Sequence, residues 1–325
     1  MVTADLYPIF EQGLARLGLQ AGQQIVVALG GGVDSQTILD LTDRYRRNYP
    51  QYRYLAIHLD HSFHPKSGAW SAFLQNDCER RNFPYLIEPL HIVQGPRESK
   101  EAIGRDARYA GLAERTEHNA VILIGQHRSD QIETFLLQLK RGAGPKGLSA
   151  MAFEAPFVGQ RRLCRPLLSI SKSELYAYGE AFKVQWIEDD TNYDTRIERN
   201  FLRHDIIPRL KSRWPAIEHT VLRSAELCAE HEGLLNELLS GLMETISQGN
   251  VLALEGWQQR SVAMQKAILR RWLEQNGAKM PSAAVLSELI QQLSRLPQGK
   301  VGVRWGTWAV QRNKRQLILT FVDKD

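Results

Sequence analysis

The sequence predicts an α/β protein: an N-terminal parallel sheet covered by helices, followed by a smaller, mainly helical domain. Three observations predict it. Short apolar runs alternate with helical stretches as far as Lys140, the pattern of a parallel sheet buried on both faces. Beyond about Trp214 the alternation gives way to leucines at three- and four-residue spacing. The segments richest in polar chemistry fall just past the apolar runs, where open parallel sheets bind ligands.

Ile25-Val26-Val27-Ala28-Leu29 is an apolar run with a glycine-rich stop and predicts the first strand. A helix follows from about Asp34 to Arg47, then a strand over Tyr54–Leu59 and a helix from Ala69 to Arg81, stopped before Pro84. Tyr85–Ile87 predicts a third strand, Ser99–Glu117 a long helix, Val121–Ile124 a fourth strand and Asp130–Lys140 a further helix. Three segments then share the carboxyl edge of the sheet: the loop after the first strand, His58–His61, and Gly125–Asp130. Residues 219–247 and 258–275 read as helices, and Pro281-Ser282 opens another. Val301–Trp305 and Gln316–Leu319 read as small strands. With no repeat and no low-complexity linker, the boundary falls near residue 215, giving domains 1–215 and 216–325.

A length of 325 residues suits about two domains. Hydrophobic content of 43% and charged content of 24% are ordinary for a globular chain. A net charge of +5 and a pI of about 9.1 are compatible with a polyanionic partner without requiring one. Cys78, Cys164 and Cys228 are far apart and make no Cys-x-x-Cys pair, which argues against a disulfide framework, a zinc site or a cysteine-held cluster and fits a reducing cytoplasm. The N-terminus lacks the charged and apolar regions of a signal peptide, and no apolar run reaches the roughly 18 residues of a membrane span.

Gly30-Gly31-Gly32-Val33-Asp34-Ser35 follows a strand and opens a helix. Glycines permit positive φ and close approach of backbone to ligand, so successive N–H groups can form an anion nest at a helix N-terminus. Ser35 adds a hydroxyl. A carboxylate in a phosphate site, Asp34 suits magnesium coordination or orientation of the loop. No Gly-Lys-Ser/Thr follows, so this is not a Walker loop, and the Gly-x-Gly-x-x-Gly spacing of a dinucleotide fold is absent. The loop alone leaves a tight turn without ligand as the alternative. Arg105 and Arg108 lie three apart and so adjoin on one helical face, ready for phosphate or for a solvated ion-pair surface.

The loop resembles the Ser-Gly-Gly-x-Asp-Ser motif of PP-loop ATP pyrophosphatases, and His58-Leu59-Asp60-His61 resembles that superfamily's segment after the second strand. Gly104-Arg105-Asp106-Ala107-Arg108-Tyr109 is similar to the Ala-Arg-x-x-Arg-Tyr signature of tRNA(Ile)-lysidine synthases. Gly125 to Thr134 is similar to their His-x-x-Asp-Gln-x-Glu-Thr segment, and Lys140–Leu148, Arg165-Pro166-Leu167-Leu168, Glu188–Asn192 and Arg199-Asn200 with Arg203 also match. The resemblance spans about residues 20–215 and continues more loosely to the end. It implies an adenine nucleotide alpha hydrolase-like, Rossmann-like fold. It also implies an ATP-dependent ligase that adenylates the C2 oxygen of the wobble cytidine of a tRNA(Ile) with a CAU anticodon. Pyrophosphate is released, and the amine of free L-lysine then displaces AMP to give lysidine.

Carried onto this chain, the resemblance implies ATP contacts from Gly30, Gly31, Gly32, Val33, Asp34, Ser35, His58 and His127. Asp34 and Asp130 would be the Mg2+ ligands, and Asp34, Arg105, Arg108, Asp130 and Glu133 would carry the chemistry. His127 is equally readable as a packed histidine at a strand end, and Glu133 as the residue that orients a magnesium water or the amine. Lys140, Arg141 and Lys146, in a Gly-rich stretch, and Arg199 and Arg203 are the expected tRNA contacts. The last two belong to a run of six cations with Arg196, Arg209, Lys211 and Arg213, which also reads as a charged helix face. Arg270-Arg271-Trp272 and Gln311–Arg315 are further candidate tRNA contacts; Trp257, Trp272, Trp305 and Trp308 are base-stacking candidates or core. Gly30, Ser62, Gly104 and Ser129 stand where the family usually has serine, glycine, alanine and aspartate. These departures leave open a different nucleophile or a weakly active tRNA-binding paralogue; sulfur transfer is disfavoured for want of paired cysteines. The additional C-terminal domain of longer family members is not seen here, shorter two-domain members exist in the family, and a homodimer is left open.

Overall fold

A computed structural model describes residues 5–90, 100–295 and 301–322. In chain order the elements are α1 (Tyr7–Ala15), β1 (Gln24–Ala28), α2 (Val33–Asn48), β2 (Arg53–Asp60), α3 (Ser67–Arg81), β3 (Tyr85–Pro89), α4 (Lys100–Arg115), β4 (Val121–Leu123), α5 (Arg128–Lys140), α6 (Pro145–Leu148), β5 (Glu154–Pro156), β6 (Arg162–Cys164) and α7 (Lys172–Ala181). A 3-10 turn (Asp190–Tyr193), α8 (Glu198–Phe201), a π turn (Leu202–Ile206) and α9 (Ile207–Arg213) lead into the 30-residue α10 (Ile217–Ile246). β7 (Ser247–Gln248), β8 (Val251–Ala253), α11 (Val262–Gln275), α12 (Ala283–Arg295), β9 (Gly302–Trp305), β10 (Trp308–Asn313) and β11 (Gln316–Phe321) complete the chain. Two compact units result, Met1–Cys228 and Ala229–Asp325, with the division inside α10.

The first unit carries a six-stranded sheet in the order β3-β2-β1-β4-β6-β5, parallel except for β5. Period-two alternation sends Ile25, Val27 and Leu29 to one face, where they pack with Phe10, Leu14, Ile38, Leu39, Leu74, Leu175 and Tyr178. Val26, Ile57, Ile122 and Leu163 face the other way, against Leu112 and Tyr109 of α4. Burial on both faces is why these strands are apolar throughout. Successive strands run outward from β1 through β2 to β3, and then return to β4 on the opposite side of β1. The direction of winding therefore reverses between β1 and β4, the position where such sheets open a crevice.

The expected strands and helices of this unit lie where the alternation puts them, with shifted ends; Ser99, expected to start the long helix, falls outside the described residues. α5 begins at Arg128, two residues before expectation, because His127 caps it. The β5–β6 hairpin and α7 are additional elements of the same layer.

The second unit packs α11, α12 and the end of α10 against an antiparallel sheet of order β7-β8-β11-β10-β9. This sheet has five strands, more than the two short runs anticipated. β10 and β11 form a hairpin, so Gln311–Arg315 occupies its arms and turn, with Lys314 at φ +53°. Trp257 and Trp272 are buried in this core, and Trp305 and Trp308, partly buried, pack against it. α11 starts at Val262 because Ser261 caps it through its hydroxyl. No helix among the described residues is long and apolar enough to cross a membrane.

Candidate active site

The glycine-rich loop leaves β1 and turns into α2 under tight local constraints. Gly31 has φ +86°, and a Cβ there would stand 2.9 Å from Ile187 Cδ1. Ile187 N–H donates to Gly31 O at 2.9 Å, so the segment after α7 straps the loop from outside. Gly30 N–H donates to Ser35 Oγ at 3.1 Å and that hydroxyl donates to Gly32 O at 3.1 Å, closing the loop on itself. The expected hydroxyl donor is thus engaged inside the loop. The helix ladder begins with Gln36 N–H to Gly32 O at 3.0 Å. The N–H groups of Val33, Asp34 and Ser35 precede it, at the positive end of the helix dipole. At Gly125 a Cβ would lie 2.8 Å from the Asp34 carbonyl carbon and 2.9 Å from Ser35 N, so only glycine lets the chain leaving β4 pass so close to the loop.

From this crossing a polar network extends through the start of α5. His127 is 2% exposed and caps α5: Nδ1 accepts from Ser129 N–H at 3.2 Å, while His127 N–H donates to Asp130 Oδ2 at 2.9 Å. An accepting Nδ1 leaves the ring proton on Nε2, which faces Asp34 Oδ1 at 3.6 Å and Asp130 Oδ2 at 3.5 Å. Lys172 Nζ donates to Asp34 Oδ1 at 2.9 Å. Glu133 is fully buried and takes Arg203 in a two-pronged grip, Nε to Oε1 at 2.7 Å and Nη2 to Oε2 at 3.1 Å, with Arg199 Nη1 at 3.5 Å. Burial pushes the Glu133 carboxyl up, against the pull of Arg203. Arg203 and Arg199 also lie 3.6 and 3.8 Å from Asp130 Oδ1. Arg203 sits on the π turn, an irregularity that recurs at functional sites.

On the β2 side, the partly buried His58 ring donates from Nδ1 to Leu29 O at 3.0 Å and so braces the strand that feeds the loop. Burial lowers its pKa. His61 stacks on Phe63 at 4.6 Å, and burial followed by nearby Arg108 lowers its pKa too. Arg105 and Arg108 are exposed on α4, Arg105 over the Tyr109 ring at 5.3 Å and Arg108 Nε donating to Gly104 O at 3.3 Å.

The structure therefore joins Gly30–Ser35, Asp34, His127, Asp130, Glu133, Arg199 and Arg203 in one network. Arg105 and Arg108 lie on α4, where Arg108 acts electrostatically on His58 and His61. Arg199 and Arg203, expected on phosphates, are turned onto the carboxylates of α5. Lys140, Arg141 and Lys146 lie exposed at the carboxyl end of α5 and in α6, with Lys140 bonded to Glu198. Of the remaining basic run, Arg196 pairs with Asp194 and Lys211 with Glu218.

Sequence reasoning missed Lys172. The signal was present: Ser171-x-x-Glu174 is a capping box, and both of its reciprocal bonds form here, which fixes Lys172 at the first turn of α7. Three of the unusual residues have a clear local setting. A Cβ at Gly30 would have nothing nearer than Ser35 Oγ at 3.9 Å, so serine fits there. Ser62 adopts φ +56°, the conformation glycine favours. Gly104 makes room for Phe63, whose Cε2 would be 3.0 Å from an added Cβ.

A parallel sheet with a closed glycine loop at its winding reversal, facing carboxylates and arginines, defines a PP-loop nucleotide-binding domain. Residues 6–210 match the PP-loop domain family, and residues 252–318 match the TilS substrate binding domain. The chain is 50% identical over 313 residues to a tRNA(Ile)-lysidine synthase of Idiomarina loihiensis, covering 96% of this chain and 70% of that one. It is 42% identical over 279 residues to the enzyme of that name in Vibrio cholerae, 86% of this chain and 62% of that one. It belongs to the tRNA(Ile)-lysidine synthase family of PP-loop ATP-dependent ligases. The chain spans between 62% and 70% of the length of these two relatives. A U34-tRNA thiolase of Methanococcus maripaludis has a similar fold, with a TM-score of 0.56 and 18% identity over 69% of this chain and 78% of that chain.

Proposed function

We propose that this chain ligates lysine to C2 of the wobble cytidine of a tRNA(Ile) with a CAU anticodon, in the cytoplasm, through an adenylated tRNA intermediate. The observation that carries the reading is the junction at Gly125, which sets the phosphate-type loop against the His127–Asp130–Glu133 network. In the first step the cytidine C2 oxygen attacks the α-phosphorus of ATP and the α–β bond breaks. Pyrophosphate departs onto the N–H groups of Val33, Asp34 and Ser35. Arg105 and Arg108, exposed on α4, balance negative charge at the α-phosphate in this reading.

Mg2+ fits the carboxylates present. Asp34 and Asp130 converge on His127 Nε2, and Asp34 Oδ2 accepts no hydrogen bond from a described group. Hard oxygen donors of this kind, with phosphate oxygens, suit magnesium; when bound it supplies neutralisation of the phosphates. In the second step the lysine side-chain nitrogen bonds to C2 and the C2–O bond to AMP breaks. The amine attacks only as the free base. The proton it gives up passes to solvent, because Glu133 has both oxygens on Arg203 and Asp130 is committed to Mg2+. Support for tRNA as the partner comes from the family and from the exposed Arg141 and Lys146. Asp34→Ala tests the reading. It should abolish tRNA-dependent pyrophosphate release while tRNA affinity stays within a few-fold; loss of tRNA binding with pyrophosphate release retained would contradict the role given to Asp34.

A further inference from the structure

Arg165 follows β6 directly and is 8% exposed. Its Nε donates to Gln126 Oε1 at 2.5 Å and its Nη1 to Ala152 O at 2.8 Å, both neutral acceptors. Nη2 donates to no described group, and among the described residues no carboxylate lies within ion-pair distance. Other enclosed arginines of this unit are compensated: Arg81 pairs with Asp40 and Asp77, and Arg203 with Glu133. Burial pushes the Arg165 guanidinium pKa down; Tyr109 and Cys164 oppose the shift, and Arg105 of α4, a second cation, adds to it. A buried charge without a counterion is strongly unfavourable, and arginine stays protonated even so.

The location supplies a reason for keeping it. β6 lies beside β4, and Gln126, which Arg165 grips, sits between Gly125, in contact with the loop backbone, and His127 of the network. We propose that Arg165, together with Arg105, holds a phosphoryl oxyanion of a substrate at the carboxyl end of β6, forming a second anion site beside the glycine-rich loop. The guanidinium fork matches a phosphate, and a bound phosphate supplies the counterion. Two substrates carry that chemistry: the phosphates of ATP and the phosphodiesters flanking the wobble nucleotide. The inference rests on the proposed use of both substrates, but not on lysine transfer.

The test measures binding by the intact chain, without lysine. Arg165→Gln and Arg165→Lys are titrated with MgATP in the absence of tRNA, and with tRNA(Ile) transcript in the absence of ATP at several salt concentrations. One ligand should weaken at least tenfold with Arg165→Gln, and the affected arm identifies the source. If it is tRNA, the slope of log affinity against log salt should also shrink, by about 0.7 to 0.9 for one phosphate no longer neutralised. A purely structural role predicts a lowered melting temperature with both affinities within twofold of wild type in the folded protein, and that result overturns the proposal. Should Arg165→Gln fail to fold, Arg165→Lys and Arg105→Gln, the latter at an exposed position, read the same site; both affinities within twofold in both variants overturn it. Because no lysine is added, absence of lysidine formation would leave these outcomes readable.

Discussion

His58 shows how one side chain ties local chemistry to the loop. Its ring holds the Leu29 carbonyl at the end of β1, and burial depresses its pKa below the ordinary 6.5. The folded protein therefore binds this proton less readily than the unfolded chain. The sign follows: the contribution of His58 is complete above about pH 6.5 and is lost as pH falls through the lowered folded-state pKa. His58→Asn keeps an N–H donor near the Nδ1 position and has nothing to titrate. Melting temperature measured from pH 7 down to pH 5 should fall less steeply for the variant than for wild type; parallel curves would show that His58 is not the titrating group. At the same scale, His127 was readable from sequence only as nucleotide contact or packed histidine. Its cap geometry gives it a third role, placing one ring proton between Asp34 and Asp130.

At the scale of elements, the crossing of the β4–α5 connection over the start of α2 decides whether the loop keeps its shape. A methyl at Gly125 would enter the backbone of Asp34 and Ser35. Gly125→Ala should therefore raise the ATP dissociation constant at least tenfold with a smaller effect on tRNA affinity, measured by titration with each ligand. Unchanged ATP affinity would mean that the loop tolerates displacement. The apolar strands and the helices between them were legible because burial on both faces leaves continuous apolar runs. β5 and β6 are three residues each, too short to leave a periodic signal, and α7 is marked by its capping box rather than by a strong apolar stripe. The glycine loop, Asp34, Asp130 and Glu133 were legible as motifs. The Lys172–Asp34 contact, the Ile187 strap and the missing counterion of Arg165 were not, because each depends on which distant segments pack together. In the second unit, β7 and β8 are similarly brief, and β10 was hidden by the charged residues of its hairpin.

At the scale of the whole molecule, the net charge of +5 is modest, so affinity for tRNA must come from placement of cations rather than from their excess. Several arginines of the basic run are committed to carboxylates, and the exposed Arg141 and Lys146, at the carboxyl end of α5 and the start of α6, make that stretch a candidate for phosphate binding. Arg141→Glu with Lys146→Glu should weaken tRNA binding and flatten its salt dependence, with the slope falling by about 0.7 to 0.9 for each phosphate no longer neutralised. ATP affinity measured without tRNA should stay unchanged; a matching loss there would point to damage of the loop instead. The ligase reading itself is tested by incubating the pure chain with tRNA(Ile) bearing a CAU anticodon, MgATP and labelled lysine, and then analysing the nucleosides. Label confined to the wobble cytidine, with one pyrophosphate and one AMP released per lysine attached, is the predicted result. Pyrophosphate exchange without lysine incorporation, or tight tRNA binding with neither activity, would contradict it.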